Sequence, residues 1–181
     1  LDLSRTRITD QALKHLEKLD DLSCLMLAGT RITDDGVVRL GVHKQLQELD
    51  LSDTDISDVG LKCLMELRKE DDSESLNTGD PLYLYSLNLA RTKITDAGLK
   101  SLSGAAIEEL NLSGTQITDD GLACLPGMSI DTLDLSDTQI TDDGLKHLLG
   151  NAWNLNLDNT NLTDNAVPMF SGEDVKIYSL S

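Results

Sequence analysis

Seven aspartates, Asp10, Asp34, Asp58, Asp96, Asp119, Asp142 and Asp164, recur along a chain of 181 residues. Each lies four positions after a threonine (Thr6, Thr30, Thr54, Thr92, Thr115, Thr138 and Thr160), and the steps between these threonines are 24, 24, 38, 23, 23 and 22 residues. Carboxylates stacked once per period suggest two kinds of chemistry. They could form a ladder of metal ligands, or they could accept hydrogen bonds from the unpaired N–H groups that open a helix, where the helix dipole also favours negative charge. Position supports the second. Each aspartate directly precedes a helical segment, often after a threonine (Thr33, Thr95, Thr141), and the Gly-rich nonapeptide of calcium-binding β-rolls is missing. The expected role is structural capping, with no metal site. The threonines, whose hydroxyls both donate and accept, are expected to tie the turn after each strand to its neighbours.

The remaining reactive side chains give no catalytic constellation. Cys24, Cys63 and Cys124 lack metal-ligand spacing. Cys63 and Cys124 occupy equivalent helix positions two repeats apart, so helices packed at ~8 to 10 Å hold them well beyond the ~7 Å that a disulfide allows. Three unpaired thiols favour a reducing compartment, and the cytoplasm is the expected location. His15 and His147 share one helix position and His43 lies in a connection; recurrence at one repeat position is the signature of packing. Gly-rich phosphate loops, metal motifs and nucleophile elbows are all missing from the sequence. Neither an enzyme nor a cofactor is expected.

The elements that position these residues follow from the repeat. Relative to each threonine, apolar residues lie eight, five and three positions before it (Leu46, Leu49 and Leu51; Ile130, Leu133 and Leu135) and two after it (Ile8, Ile32, Ile56, Ile94, Ile117, Ile140, Leu162). Gly or Ala follows at plus six, and apolar residues at plus seven and plus ten (Leu61 and Leu64; Leu145 and Leu148). Alternation before the threonine is strand periodicity; the spacing after it is helical. One such unit cannot bury its apolar edge alone, so units stack into a solenoid whose strands form one parallel sheet. With 35 leucines and five aromatics (Trp153, Phe170, Tyr83, Tyr85, Tyr178), the core is nearly uniform aliphatic.

The pattern resembles the leucine-rich repeat family, L-x-x-L-x-L-x-x-N-x-L, from end to end, with Thr in place of the usual Asn. The I-T-D-x-G-L continuation (Ile94 to Leu99, Ile117 to Leu122) is similar to repeats of F-box-associated and bacterial effector proteins. The resemblance implies an α/β solenoid of right-handed β-α units, ribonuclease-inhibitor-like, with a parallel sheet on the concave face and short helices on the convex face. It also implies a protein-binding module. Residues 1–181 read as one domain of seven repeats plus the strand of an eighth. Both ends fall inside strands without recognisable caps, which predicts a piece of a longer chain. The 38-residue step carries an acidic insertion near 68–81, running from Arg68 to Pro81. It reads either as an inert loop or as a contact-making one.

Net charge bounds the partners. At −17 the chain repels a phosphate backbone, so nucleic acid is excluded as a partner. Acidic surfaces steer cationic partners, so a basic protein or peptide is expected. No apolar run reaches the ~18 residues of a membrane span, and no leader pattern opens the chain. The fragment is expected to be monomeric and to make no membrane contact.

Alternation places minus six, minus four and minus two on the concave face. These positions hold Cys24, Met26 and Ala28, then Glu48, Asp50 and Ser52, Ser86, Asn88 and Ala90, Glu109, Asn111 and Ser113, Thr132, Asp134 and Ser136, and Asn154, Asn156 and Asp158, with Lys and Arg absent. Tyr85 and Trp153 both stand at minus seven on one rim, where other repeats have Ser23, Gln47, Glu108, Asp131 and Lys176. They read as binding anchors or as covers for the core edge. The opposite rim carries Arg5, Arg7, Arg31, Arg91 and Lys93, interrupted by Asp53 and Asp55. The candidate protein-binding residues are Glu48, Asp50, Tyr85, Asn88, Glu109, Asn111, Asp134, Trp153, Asn156 and Asp158. Three functions fit this surface: substrate recognition in a ubiquitin ligase of the F-box class, sequestration of a basic enzyme, and a structural spacer in a longer array.

Overall fold

The computed structural model describes residues 1–69, 83–125, 128, 130–148, 154–171 and 176–179. Seven parallel strands form one sheet in chain order: β1 (Cys24–Met26), β2 (Glu48–Asp50), β3 (Tyr83–Asn88), β4 (Ala106–Asn111), β5 (Thr132–Asp134), β6 (Asn154–Asn156) and β7 (Lys176–Ser179). They belong to repeats two to eight, and repeat one adds two isolated bridges, Asp2 to Met26 and Thr9 to Arg31. The crossovers hold α1 (Asp10–Leu16), α2 (Asp34–Val37), α3 (Asp58–Lys69), α4 (Asp96–Ser101), α5 (Asp119–Leu122) and α6 (Asp142–Leu148). One apolar seam lies between sheet and helices. In repeat three, Leu46, Leu49, Leu51, Ile56, Leu61 and Leu64 are all sealed from solvent, and the equivalent residues of the neighbouring repeats extend the seam in both directions.

Each strand ends in the same turn. The residue before each periodic threonine has a left-handed backbone, with φ between 54° and 64° at Arg5, Gly29, Asp53, Arg91, Gly114, Asp137 and Asn159. Only two of the seven are glycine, although the left-handed region costs other residues roughly 1–2 kcal/mol. The threonine hydroxyl donates to the carbonyl three residues back, as from Thr30 to Leu27 (2.6 Å) and from Thr115 to Leu112 (2.6 Å). The threonine row therefore closes each turn on itself and does not reach the neighbouring repeat.

Crossing between repeats is the work of the aspartates, which corrects the expected capping role. The residue at the helix N-cap is the preceding Thr9, Thr33, Thr95 or Thr118, and the aspartate is the first helical residue. Its carboxylate reaches forward to the next repeat. Asp10 accepts from the Thr33 N–H (2.9 Å) and hydroxyl (2.7 Å), and Asp96 accepts from the same groups of Thr118 (2.8 and 2.7 Å). Asp34 with Ser57, Asp58 with Thr95, Asp119 with Thr141 and Asp142 with Thr163 complete the series. The link from Asp58 to Thr95 carries the ladder past the insertion without a break.

This ladder explains the small residue at plus six. A Cβ on Gly36, Gly60, Gly98, Gly121 or Gly144 would stand 2.2–2.3 Å from the Oδ1 of the preceding repeat's aspartate. The glycines leave room for a carboxylate.

Two elements depart from the regular reading. Helix α3 runs to Lys69, so Arg68 belongs to the helix and not to the insertion. Leu61, Leu64, Met65 and Arg68 fall on one buried stripe at helical spacing. The Arg68 guanidinium donates to the carbonyls of His43 and Leu46 (2.8 Å each), and burial lowers its pKa to about 10. In repeat seven the expected helix is a 3-10 turn, Val167–Ser171, and Val167 at plus seven is 65% exposed. Pro168 disfavours helical backbone at the residue before it.

Candidate functional site: the open sheet face

Strand pairing assembles the predicted surface into two rows. Asp50, Asn88, Asn111, Asp134 and Asn156 are consecutive partners across β2 to β6, continued by Met26 on β1. Beside them run Cys24, Glu48, Ser86, Glu109, Thr132 and Asn154. Members of both rows are half-buried on the sheet's open side. With strands ~4.8 Å apart, the face is a grid of carboxylates, amides and hydroxyls. Strand β7 pairs Lys176 with Asn154, one position further along than the sequence spacing places it. The rows free of Lys and Arg therefore end at β6.

The minus-four side chains also hold their own backbone. Oδ1 of Asp2, Asp50, Asn88, Asn111, Asp134 and Asn156 accepts the N–H two residues on, at Ser4, Ser52, Ala90, Ser113, Ser136 and Asp158 (2.8–3.1 Å). Asp and Asn are the residue types that make this turn. One oxygen of each is occupied, and the second oxygen or the amide nitrogen is left for a ligand. The minus-two row is less open than alternation predicts: Ser52, Ala90, Ser113 and Ser136 are buried in the turn.

Strands β3 and β4 have six residues where β1, β2, β5 and β6 have three. The extra length carries Tyr83 and Tyr85, 42% and 41% exposed, on the side opposite buried Leu84. The Tyr83 hydroxyl donates to Glu108 Oε1 (2.7 Å) and the Tyr85 hydroxyl to Glu109 Oε1 (3.1 Å). These hydrogen bonds, and the negative charge beside them, push both phenol pKa values up. Both remain neutral donors. Burial, and then Glu48, push the Cys24 thiol up as well, so it is not an activated nucleophile.

The leucine-rich repeat family profile matches residues 43–65, 82–103, 107–125 and 128–149. Among solved structures, an internalin from Listeria monocytogenes aligns over 99% of this chain with a TM-score of 0.60 and 17% identity. The chain is a leucine-rich repeat protein. It spans about half of the internalin, covering 53% of that chain. A plant ice-binding protein aligns over 82% of this chain and 60% of its own, with a TM-score of 0.42 and 15% identity. No curated protein matches in sequence.

Within this leucine-rich repeat chain, the sequence-predicted Glu48, Asp50, Tyr85, Asn88, Glu109, Asn111, Asp134, Asn156 and Asp158 lie on one sheet face or at its turn edge. Trp153 lies outside the described residues. The sequence reading missed Tyr83 and Glu108 as members of the site. The signal for Tyr83 was available in the Tyr83-Leu84-Tyr85 alternation. For Glu108 there was none, because its role depends on pairing with a lengthened β3. On the opposite rim, Arg91 makes a two-pronged ion pair with Asp53 (2.6 and 2.7 Å) and Lys93 pairs with Asp55 (2.6 Å). The Arg91 guanidinium holds the Asp53 carboxyl below its usual range. Two of the five basic rim residues are thus neutralised within the repeat array.

Proposed function

We propose that this chain is a non-enzymatic protein-binding module whose contact surface is the open face of the sheet. One observation carries the reading: two in-register rows, mostly acidic, amide and hydroxyl side chains and without a basic residue from β1 to β6, are flanked at the start of β3 by a pair of exposed tyrosines. A rigid grid of this kind suits a basic protein or peptide, because complementary charge raises the encounter rate and aromatic anchors give affinity. The three free thiols agree with a reducing compartment, which we take to be the cytoplasm.

The test is capture from source-cell lysate with the wild-type chain beside the triple substitution Tyr85→Ala, Asp134→Lys, Trp153→Ala. A partner retained by the first and lost by the second is the expected result. Recovery of the same proteins by both places the contact elsewhere. Substrate recognition for a ubiquitin ligase is the finer version, supported by the resemblance of the I-T-D-x-G-L segments to F-box-associated repeats; an F-box in the full-length chain would establish it and its absence would remove it.

The rival reading, sequestration of a basic enzyme, is favoured by the net charge of −17. It requires affinity for that enzyme to fall steeply between low and high salt. Salt-independent affinity would rule it out.

A further inference from the structure

We propose that Tyr83, Tyr85, Glu108 and Glu109 form a seat for the guanidinium of an arginine presented by a basic partner. The inference rests on the open-face binding reading and narrows it to one side chain and one place.

Three observations converge on this ledge. First, the two exposed rings sit two residues apart on the same side of β3. Two residues along a strand cover about 6.5 Å, close to twice the ~3.5 Å contact distance between flat groups. The strand itself spaces the rings for one planar group between them. Second, both phenol hydroxyls are already committed as donors to Glu108 and Glu109, which leaves the ring faces as the free surface. Those faces carry the negative lobe of the aromatic quadrupole and attract a cation. Third, the neighbouring charges among the described strand residues are of one sign. Glu48 lies across from Ser86 on β2, Asp131 follows Glu108 on the next repeat, and among β1 to β6 no Lys or Arg shares the two rows.

Guanidinium fits this arrangement better than ammonium. It is planar, stacks on rings and offers several N–H donors to carboxylates at its edge, whereas the lysine ammonium is a compact and strongly hydrated point charge. The carboxylate oxygens not taken by the tyrosines are the acceptors. A guanidinium entering between the rings would meet both with its plane and the glutamates with its edge.

The probe is a short peptide with two arginines separated by one glycine, set against the same peptide with citrulline and with lysine. Binding is followed by backbone amide shifts of the 15N-labelled chain. The expected result is saturable shifts at Tyr83, Tyr85, Glu108 and Glu109, at least tenfold weaker affinity for the citrulline peptide, and several-fold weaker affinity for the lysine peptide. Tyr83→Leu and Tyr85→Leu should each lose about tenfold. Tyr85→Phe, which keeps the ring, should keep most of the affinity, and Glu66→Gln, at an exposed acidic residue of α3 away from the sheet face, should change little. Both tyrosines are exposed, so the variants are checked for an unchanged circular dichroism spectrum and melting temperature.

Equal affinity for arginine and citrulline peptides, or shifts centred on Asp134 and Asn156, would overturn the seat. If lysate capture still depends on the open face in that case, the wider reading stands without it. An arginine-selective ledge together with capture that ignores every open-face substitution would instead overturn the wider reading and leave the seat.

Discussion

At the residue scale, the aspartate and glycine rows are one device built by two adjacent repeats. The Asp96 carboxylate bonds the N–H and hydroxyl of Thr118, and Gly121 leaves the space in which its Oδ1 sits, 2.3 Å from where a Cβ would be. Replacing a helical Gly by Ala ordinarily gains about 1 kcal/mol. Here the added methyl displaces a carboxylate held by hydrogen bonds worth roughly 1.5–3 kcal/mol each, so Gly121→Ala should destabilise by about 1–3 kcal/mol, the usual cost of overpacking. In an Asp96→Ala background the carboxylate is gone and only the residue 96 Cβ remains, 3.3 Å away, so the same substitution should become close to neutral. Urea denaturation of the four proteins gives the coupling directly. Additive effects would mean that the glycine serves something other than the carboxylate. The core row admits a blunter check: Leu112 is wholly buried, so Leu112→Asp should cost several kcal/mol in the same denaturation assay.

At the element scale, α3 differs from the other helices because its last turn grips the connection that leads into its own repeat. Arg68 donates to two carbonyls in the His43–Leu46 connection, and the ring of His43 lies buried beside it. Burial first, with Arg68 adding to it, lowers the His43 pKa against the opposing hydrogen bond to the Leu19 backbone. A histidine depressed in the folded state stabilises the fold fully above its unfolded pKa, about 6.5. That contribution is lost as pH falls through and below this value, because the unfolded chain then binds the extra proton. Stability should therefore drop as pH falls below about 6.5, above the range where the carboxylates titrate, and His43→Gln should flatten that drop. Denaturation midpoints of both proteins at pH 7 and 5.5 test it; parallel losses would assign the acid sensitivity to other groups. Little of this contact was legible beforehand, since the acidic run after Arg68 made the arginine look like loop. The strand and helix positions were legible, because periods of two and of three to four are written in the leucines. The partner of each aspartate was not. A carboxylate repeated once per period reads the same whether it bonds its own helix or the next repeat, and only the stacking geometry decides between them. Likewise the polar rows of the site followed from alternation at Asp50, Asn88 and Asn111, whereas the ledge at Tyr83 and Glu108 arose from the pairing of two lengthened strands.

At the scale of the whole molecule, a solenoid holds together only through contacts between neighbours, so its cooperativity depends on the weakest interface. The junction between repeats three and four is singular in sequence, with a 38-residue step where the others have 22 to 24. The longer connection itself costs little, because doubling a loop adds only about 0.6 kcal/mol. What keeps the two halves in one array is the pairing of β2 with β3, the packing of α3 on α4, the exposed ion pairs of Arg91 with Asp53 and Lys93 with Asp55, and the two hydrogen bonds from Thr95 to Asp58. Asp58→Ala removes the last of these and leaves three repeats on one side and four on the other, each large enough to keep a core of its own. Asp119→Ala removes the same pair of bonds at Thr141, inside a run of regular steps. Both should lose about 2–3 kcal/mol by the strength of hydrogen bonds to charged groups. Only Asp58→Ala should also separate the transitions, with ellipticity falling before the fluorescence of Trp153 and a lower urea m-value, because less surface is exposed in each step. The block of repeats one to three should melt first, since its outermost repeat contributes isolated bridges at Asp2 and Thr9 in place of a strand. Coincident transitions in both variants would show that strand pairing alone carries the coupling, and that the aspartate ladder adds stability without setting the cooperative unit.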